Sequence, residues 1–289
     1  MIRIYIILVS GIIVASASAI IIRWTGDVPF TVISFYRVFI SFCLLLLYQI
    51  LNPKIQLKDL RRFHWHYLLA GFFLAAHFIT WIASLQMTSI ANSIFLESLH
   101  PLFAVVLSII FLKEYPHRKA YPLFIIAIVG MFIIVSTDFN QPGTKLIGDF
   151  LAIISALCFA LYILIARKHK EEQNFIKYLT YIYGSASLTC AIYILFSGDL
   201  FWGYSLQSWL LMILLAVGPN LYGHSILNWA SRHIEIFKVN LMLLLEPILA
   251  TLMGIFFISE YPPQTFYIGA GLILLSLWFL IYLENKDHN

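Results

Sequence analysis

Six ionisable side chains interrupt otherwise apolar stretches of this 289-residue sequence: Arg37, His77, Glu97, His100, His224 and Glu246. Such groups are costly at membrane depth and mark substrate or proton paths. His77, Trp81 and Ser84 stand at i, i+4 and i+7, as do His224, Asn228 and Ser231, so each trio shares one helical face. Glu97 and His100 are i and i+3 and can touch. A carboxylate beside an imidazole suits binding of an ammonium group or carriage of a proton, and an arginine suits a substrate carboxylate. Tyr162, Tyr183, Asn220, Tyr222 and Trp229 are placed to add aromatic and amide lining.

Each of these residues has a structural use as well. Arg37 equally suits pairing with a buried carboxylate, and Glu246 suits being that carboxylate. His77 and His224 suit hydrogen bonding between helices, and Trp81 and Trp229 suit packing. Glu114 and Glu260 precede Tyr-Pro at helix ends, where a carboxylate favours the N-terminus of the next helix. These two are read as structural.

The remaining motif classes are empty. The sequence has no GxxxxGK[ST] phosphate loop, no His-Glu-x-x-His and no cysteine pair at metal-binding spacing. Cys43, Cys158 and Cys190 lie within apolar stretches and read as small core residues. No nucleophile stands with a base and an orienting partner. The expectation is therefore no enzyme, no metal and no cofactor. A net charge of +4, scattered through short loops, gives no nucleic-acid surface.

The elements that hold these residues follow from composition. Hydrophobic residues make up 61% and charged residues 11%, against roughly 25% charged in soluble domains. That marks an all-α polytopic membrane protein. A spanning helix needs ~20 mostly apolar residues. Ten segments qualify, at 3–24, 29–51, 65–86, 89–112, 119–136, 147–167, 175–197, 206–231, 236–258 and 264–283. Pro29 and Pro263 sit where helices begin. Pro101 and Pro247 fall inside the fourth and ninth helices and should kink them, each freeing a carbonyl. Ala15-Ser16-Ala17-Ser18-Ala19 resembles a leader cleavage site, but the apolar run continues to Arg23 and is long enough to span.

Loop charge sets the orientation. Lys54, Lys58, Arg61, Arg62, Lys113, Arg118, Lys119, Arg167, Lys168, Lys170, Lys177, Arg232 and Lys238 fall in alternate loops, and Arg3 and Lys286 join them at the ends. The opposite loops hold only Arg23 and Lys145. The positive-inside rule then places both termini in the cytoplasm.

The chain also repeats itself. His77, Ala83 and Ser84 match His224, Ala230 and Ser231 in register. After one dropped residue, Pro101, Ala104, Ile109, Phe111, Glu114, Tyr115 and Pro116 match Pro247, Ala250, Ile255, Phe257, Glu260, Tyr261 and Pro262. Two halves, 1–140 and 141–289, each hold five helices, so tandem copies must be inverted in the membrane. Secondary transporters are commonly built this way and bind near the midplane between halves.

These features resemble the drug/metabolite transporter superfamily, specifically its EamA members, over nearly the whole chain. The resemblance rests on Tyr36-Arg37 and Tyr183-Gly184 in the second helix of each half. It rests also on Pro101 with Glu114, on Glu246-Pro247 with Glu260, and on the His77-Phe78 and Gly223-His224 stretches. The second half lacks the arginine, and Glu97 with His100 replaces small or apolar residues. The resemblance implies a cavity between halves that rock by alternating access, in a bacterial inner membrane. It implies a secondary transporter exporting a small metabolite, an amino acid or amine, with protons or exchange as the driving force. The partners are a small-molecule substrate and the lipid bilayer, and the working unit is a monomer or homodimer. Extrusion of organic cations or drugs is the alternative, using the glutamates and tryptophans as an acidic aromatic cage. A flippase for lipid-linked substrates is the third reading.

Overall fold

A computed structural model describes residues 2–52, 64–88, 90–115, 118, 120–135, 146–171, 174–258 and 264–287. Every regular element among them is helical. The first span is two helices, α1 (Ile2–Ser16) and α2 (Ser18–Trp24), followed by α3 (Phe30–Leu51) and α4 (Trp65–Met87). The fourth span is again two, α5 (Ile90–Glu97) and α6 (His100–Leu112), and α7 (Ala120–Val135) closes the first half. The second half runs α8 (Leu146–Lys168), α9 (Phe175–Ser197), then α10 (Leu206–Leu215), a π-helix (Ala216–His224) and α11 (Ser225–His233) as one span. The ninth span divides into α12 (Ile236–Leu243) and α13 (Leu245–Ile258), and α14 (Gln264–Asp287) ends the fold. Seven of these spans are long and apolar enough to cross a membrane by themselves. The apolar stretches His100–Leu112, Tyr121–Ile133 and Gln264–Phe279 are shorter.

The breaks have local causes. Pro101 and Pro247 lack an amide hydrogen. In both spans the helix yields at equivalent positions one turn earlier, at Ser98–Leu99 and at Leu244. Tight turns bridge the gaps, with the Leu99 amide on the Leu96 carbonyl and the Leu244 amide on the Leu241 carbonyl. The kinks expected from the two prolines are present. Pro219 sits inside the π-helix, whose wider turn accommodates a ring that would collide with the carbonyl four residues back. That π segment and the break at Ala17 have no counterpart in the other half, where α4 and α8 run unbroken.

Packing follows the repeat. The strongest pairing, α4 on α8, has its mate in α1 on the π-helix, and α4 on α9 has its mate in α3 on the π-helix. The pairs α3 with α9, α7 with α14, and α6 with α12 each bring equivalent spans together across a pseudo-two-fold axis. The bilayer removes the hydrophobic drive between helices, so close packing of small residues replaces it. A Cβ on Gly71 would stand 2.6 Å from the Ile182 carbonyl, and one on Gly130 would stand 2.6 Å from the Gly269 carbonyl. Side chains such as Phe72, Val106, Ile125, Leu188 and Phe256 form the exposed apolar exterior. Cys158 and Cys190 are buried, but Cys43 is exposed on α3, because its face of that helix meets no neighbour. The expectation of three core cysteines is corrected there.

One end of the bundle gathers basic residues from alternate loops. Arg167 donates to Glu114 at 2.8 Å and to the Arg232 carbonyl at 3.3 Å, and Arg232 donates to the Lys170 carbonyl at 2.9 Å. This corrects the reading of Glu114 as a partner for the next helix: it ties the first half to the second. Glu260, its repeat mate, lies outside the described residues, as do Pro116, Pro262 and Pro263. At the opposite end, Thr31 donates to Asp199 at 2.6 Å and Tyr36 to the Phe201 carbonyl at 2.7 Å. The two ends share no residues, as an up-and-down threading requires.

Candidate functional site

The broken spans converge. Ser18 beside the first break, Glu97 and His100 at the second, His224 at the end of the π-helix and Glu246 after the fourth line one cavity with His77, Trp81, Phe159 and Leu227. It is narrow here, with about 20 Å³ open to water, room for roughly one water molecule, so a substrate enters only as the halves move apart. A neighbouring cavity shares Trp81, His100 and Glu246 and continues past Ser16, Ser98 and Pro247. Breaks at this depth matter because irregular backbone is tolerated inside a bilayer only where protein or a cavity meets it.

Rings form one wall. His77 lies 5.9 Å from His224, its repeat mate, between ring centres. Phe159 stands between the imidazoles, 5.0 Å from His77, 5.2 Å from His100 and 6.0 Å from His224. Trp81 stacks on His77 at 6.2 Å. The placement follows from spacing: His77 and Trp81 are one turn apart on α4, and Phe159 lies near the middle of the facing α8.

The hydrogen bonds define what the cavity offers. His100 Nδ1 meets Asn240 Oδ1 at 2.7 Å. The Asn240 amide nitrogen donates to the Ile236 carbonyl at 2.9 Å, which fixes its oxygen toward His100. An oxygen only accepts, so Nδ1 carries the proton and Nε2 is left as an acceptor. His77 Nδ1 lies 3.3 Å from the Ser155 carbonyl and 2.8 Å from the Ser155 hydroxyl, which gives the same assignment. With the carboxylates of Glu97 and Glu246, both partly exposed to the cavity, the lining is rich in acceptors. The Trp81 indole N–H, without a partner among the described residues, is a donor beside them. Among the described residues no three metal-ligating side chains gather in a geometry that could hold an ion.

Of the residues expected at the site, His77, Trp81, Glu97, His100, His224 and Glu246 come together. Pro247 lines the adjoining cavity, and Pro101 is buried beside the break it causes. Arg37 does not join them. It is fully buried, with its guanidinium carbon 3.7 Å above the Phe78 ring, and it lines neither cavity. It forms no ion pair with Glu246, which it meets only through space. Asn220 donates to the Arg37 carbonyl at 3.1 Å and to Ser41 at 2.9 Å, pinning the π-helix to α3. Tyr162 and Asn228 are buried near one another behind the ring wall.

Two residues leave the site. Tyr222 is 47% exposed and hydrogen bonds Ser10 at 3.0 Å, because the π-helix turns it outward. Trp229 packs on His233, 4.4 Å between ring centres, one position round from Asn228. Sequence reasoning missed Phe159, Ser155, Asn240 and Phe78. Asn240 and Ser155 are polar residues in apolar runs and carried a signal. The two phenylalanines are indistinguishable in sequence from packing aromatics.

A family model described as the EamA-like transporter family matches residues 1–136 and again 146–282. An S-adenosylmethionine uptake transporter of Rickettsia bellii (strain RML369-C) is 24% identical over 254 residues, covering 88% of this chain and 84% of that one. An uncharacterized transporter of Archaeoglobus fulgidus is 23% identical over 199 residues, covering 68% of this chain and 69% of that one. One solved crystal structure matches 99% of both chains with a TM-score of 0.82 at 16% identity, which shows the fold.

Proposed function

The chain belongs to the EamA-like transporter family, and from that premise we propose that it carries a small metabolite with a cationic centre, of the amino acid or amine class, by alternating access. It is a multi-pass membrane transporter and not an enzyme. The observation that carries the substrate reading is the lining of the central cavity. Glu97, Glu246 and the acceptor nitrogens of His77 and His100 face a ligand with donors to offer, and an ammonium group is such a ligand. Trp81 and Phe159 add aromatic faces, which attract cations.

Two carboxylates in one cavity repel, and a bound cation or proton relieves that repulsion. Coupling then follows if substrate and proton compete for the pair. Arg37 acts on Glu246 through space, so Glu97 is assigned the proton and Glu246 the substrate cation. The inverted halves supply the two states, and their axis passes beside His77 and His224. Direction is export of an accumulated amino acid or amine, across a bacterial inner membrane, with both termini cytoplasmic. The clustering of basic residues at one end of the bundle supports that orientation. One chain contains both halves and so suffices as the working unit.

Extrusion of organic cations is a second reading, favoured by the screening of Arg37 from the cavity. S-adenosylmethionine, named for the Rickettsia relatives, joins both chemistries, being an amino acid with a sulfonium cation. Reconstituted vesicles preloaded with an unlabelled amino acid, amine or S-adenosylmethionine and given the labelled form test the readings together. Accumulation of label identifies the class. Its absence for every cationic compound refutes the proposal.

A further inference from the structure

Arg37 is the largest side chain in the fold with no exposed surface. Its backbone carbonyl accepts from Ser41 at 2.8 Å and from Asn220 at 3.1 Å, but Nε and both terminal nitrogens donate to nothing among the described residues. Its guanidinium carbon stands 3.7 Å above the Phe78 ring. Asn220 Oδ1 and His224 Nδ1 are further buried polar atoms without a partner among the described residues. Tyr183 donates to the Asn220 carbonyl at 3.1 Å.

A buried cation without a hydrogen-bonded partner is expensive, and the contact with the Phe78 ring offsets only part of that cost. The guanidinium offers N–H donors alone. A guanidinium fork matches a carboxylate through two parallel bonds. Glu246 lines the cavity and acts on Arg37 through space, without a hydrogen bond to it. The partition between them is thin: Phe78 lies 4.8 Å from His224, which itself lines the cavity.

We propose that Arg37 is a carboxylate-binding subsite screened by the Phe78 ring, and that rotation of this ring joins it to the acidic cavity so that one zwitterion spans both. The spanning ligand rests on the acidic cavity being the cation site, but the anion subsite is testable alone. Butyrate and butylamine, matched in size, are titrated against the purified protein at fixed ionic strength with melting temperature as readout. Butyrate should raise the melting temperature of the wild type and of Glu97→Gln, with the shift lost in Arg37→Gln. Butylamine should stabilise Arg37→Gln as it does the wild type, which also shows that this variant is folded. No shift with butyrate in the wild type, or an equal shift in Arg37→Gln, overturns the proposal. Failure of butylamine alone refutes the cation site and leaves the subsite judged by butyrate. If Arg37→Gln does not fold, Phe78→Ala decides: removing the screen should tighten butyrate binding several-fold, and unchanged binding overturns the proposal.

Discussion

The imidazoles of His77 and His224 lie 5.9 Å apart between ring centres, and they are equivalent residues of the two matched halves. Their environments differ. His77 is held by Ser155, whereas His224 Nδ1 has no partner among the described residues and its ring meets Phe78. The pair is therefore alike in type and unlike in bonding. The difference arises in the backbone, since His224 ends a π-helix and His77 sits in a regular helix. His77→Ala removes the imidazole bond to the Ser155 hydroxyl at 2.8 Å, although that hydroxyl keeps the His77 backbone carbonyl at 3.2 Å, whereas His224→Ala removes only ring contacts. His77→Ala should therefore cost the more stability, by ~0.5–1.5 kcal/mol for one hydrogen bond, read as the lower melting temperature. Equal losses would show that the asymmetry has no energetic weight.

Asn240 orients His100, and Asn240→Leu removes that acceptor. The buried Nδ1 proton then lacks a partner or moves to Nε2, turning an acceptor of the cavity into a donor. Ligand affinity should fall about tenfold, worth ~1.4 kcal/mol, while Asn240→Asp retains the acceptor. Titration of a transported cation against both variants checks this, and equal loss in both would exclude the orienting role.

The ion pair of Arg167 with Glu114 ties the two halves at one end, with side chains 11% and 26% exposed. Glu114→Gln should weaken this tie by ~0.5–1 kcal/mol, the upper range for a partly exposed pair. The conformer open at this end should then rise roughly two- to five-fold. Alkylation rates of a single cysteine placed at Ser18 report it, and unchanged rates would mean that the pair holds loops and not the gate.

Close approach of backbones gives a sharper structural test. Gly71→Ala would place a methyl 2.5 Å from Ser185 Cβ and 2.6 Å from the Ile182 carbonyl, neither of which is a flexible side-chain end. The variant should lose ~1–3 kcal/mol or fail to fold. Gly254→Ala meets nothing within 4 Å and should be silent. Thermal melting of the two in one detergent separates them.

Much of this arrangement is legible in the sequence, for identifiable reasons. An ionisable residue in an apolar run has no packing use, so His77, Glu97, His100, His224 and Glu246 stand out without a structure. Pro101 and Pro247 announce breaks because a missing amide hydrogen acts wherever the helix lies. The rotation of a span about its axis is not legible, since it depends on neighbours. For that reason Arg37 ends against Phe78, Tyr222 turns outward, and Trp229 packs on His233 away from the cavity. The π-helix around Pro219 could not be read either. A proline inside an apolar run is compatible with a kink, a break or a widened turn, and packing against α1 and α3 selects among them.

The most direct test of the central claim is counterflow in proteoliposomes, comparing wild type with Glu97→Gln and Glu246→Gln. The account predicts that Glu246→Gln abolishes accumulation of a labelled amine or amino acid. Glu97→Gln should preserve exchange while losing the response to an imposed pH gradient. Counterflow and pH response equal to wild type in both variants would contradict it, because the cavity between the broken helices would then be no part of the path.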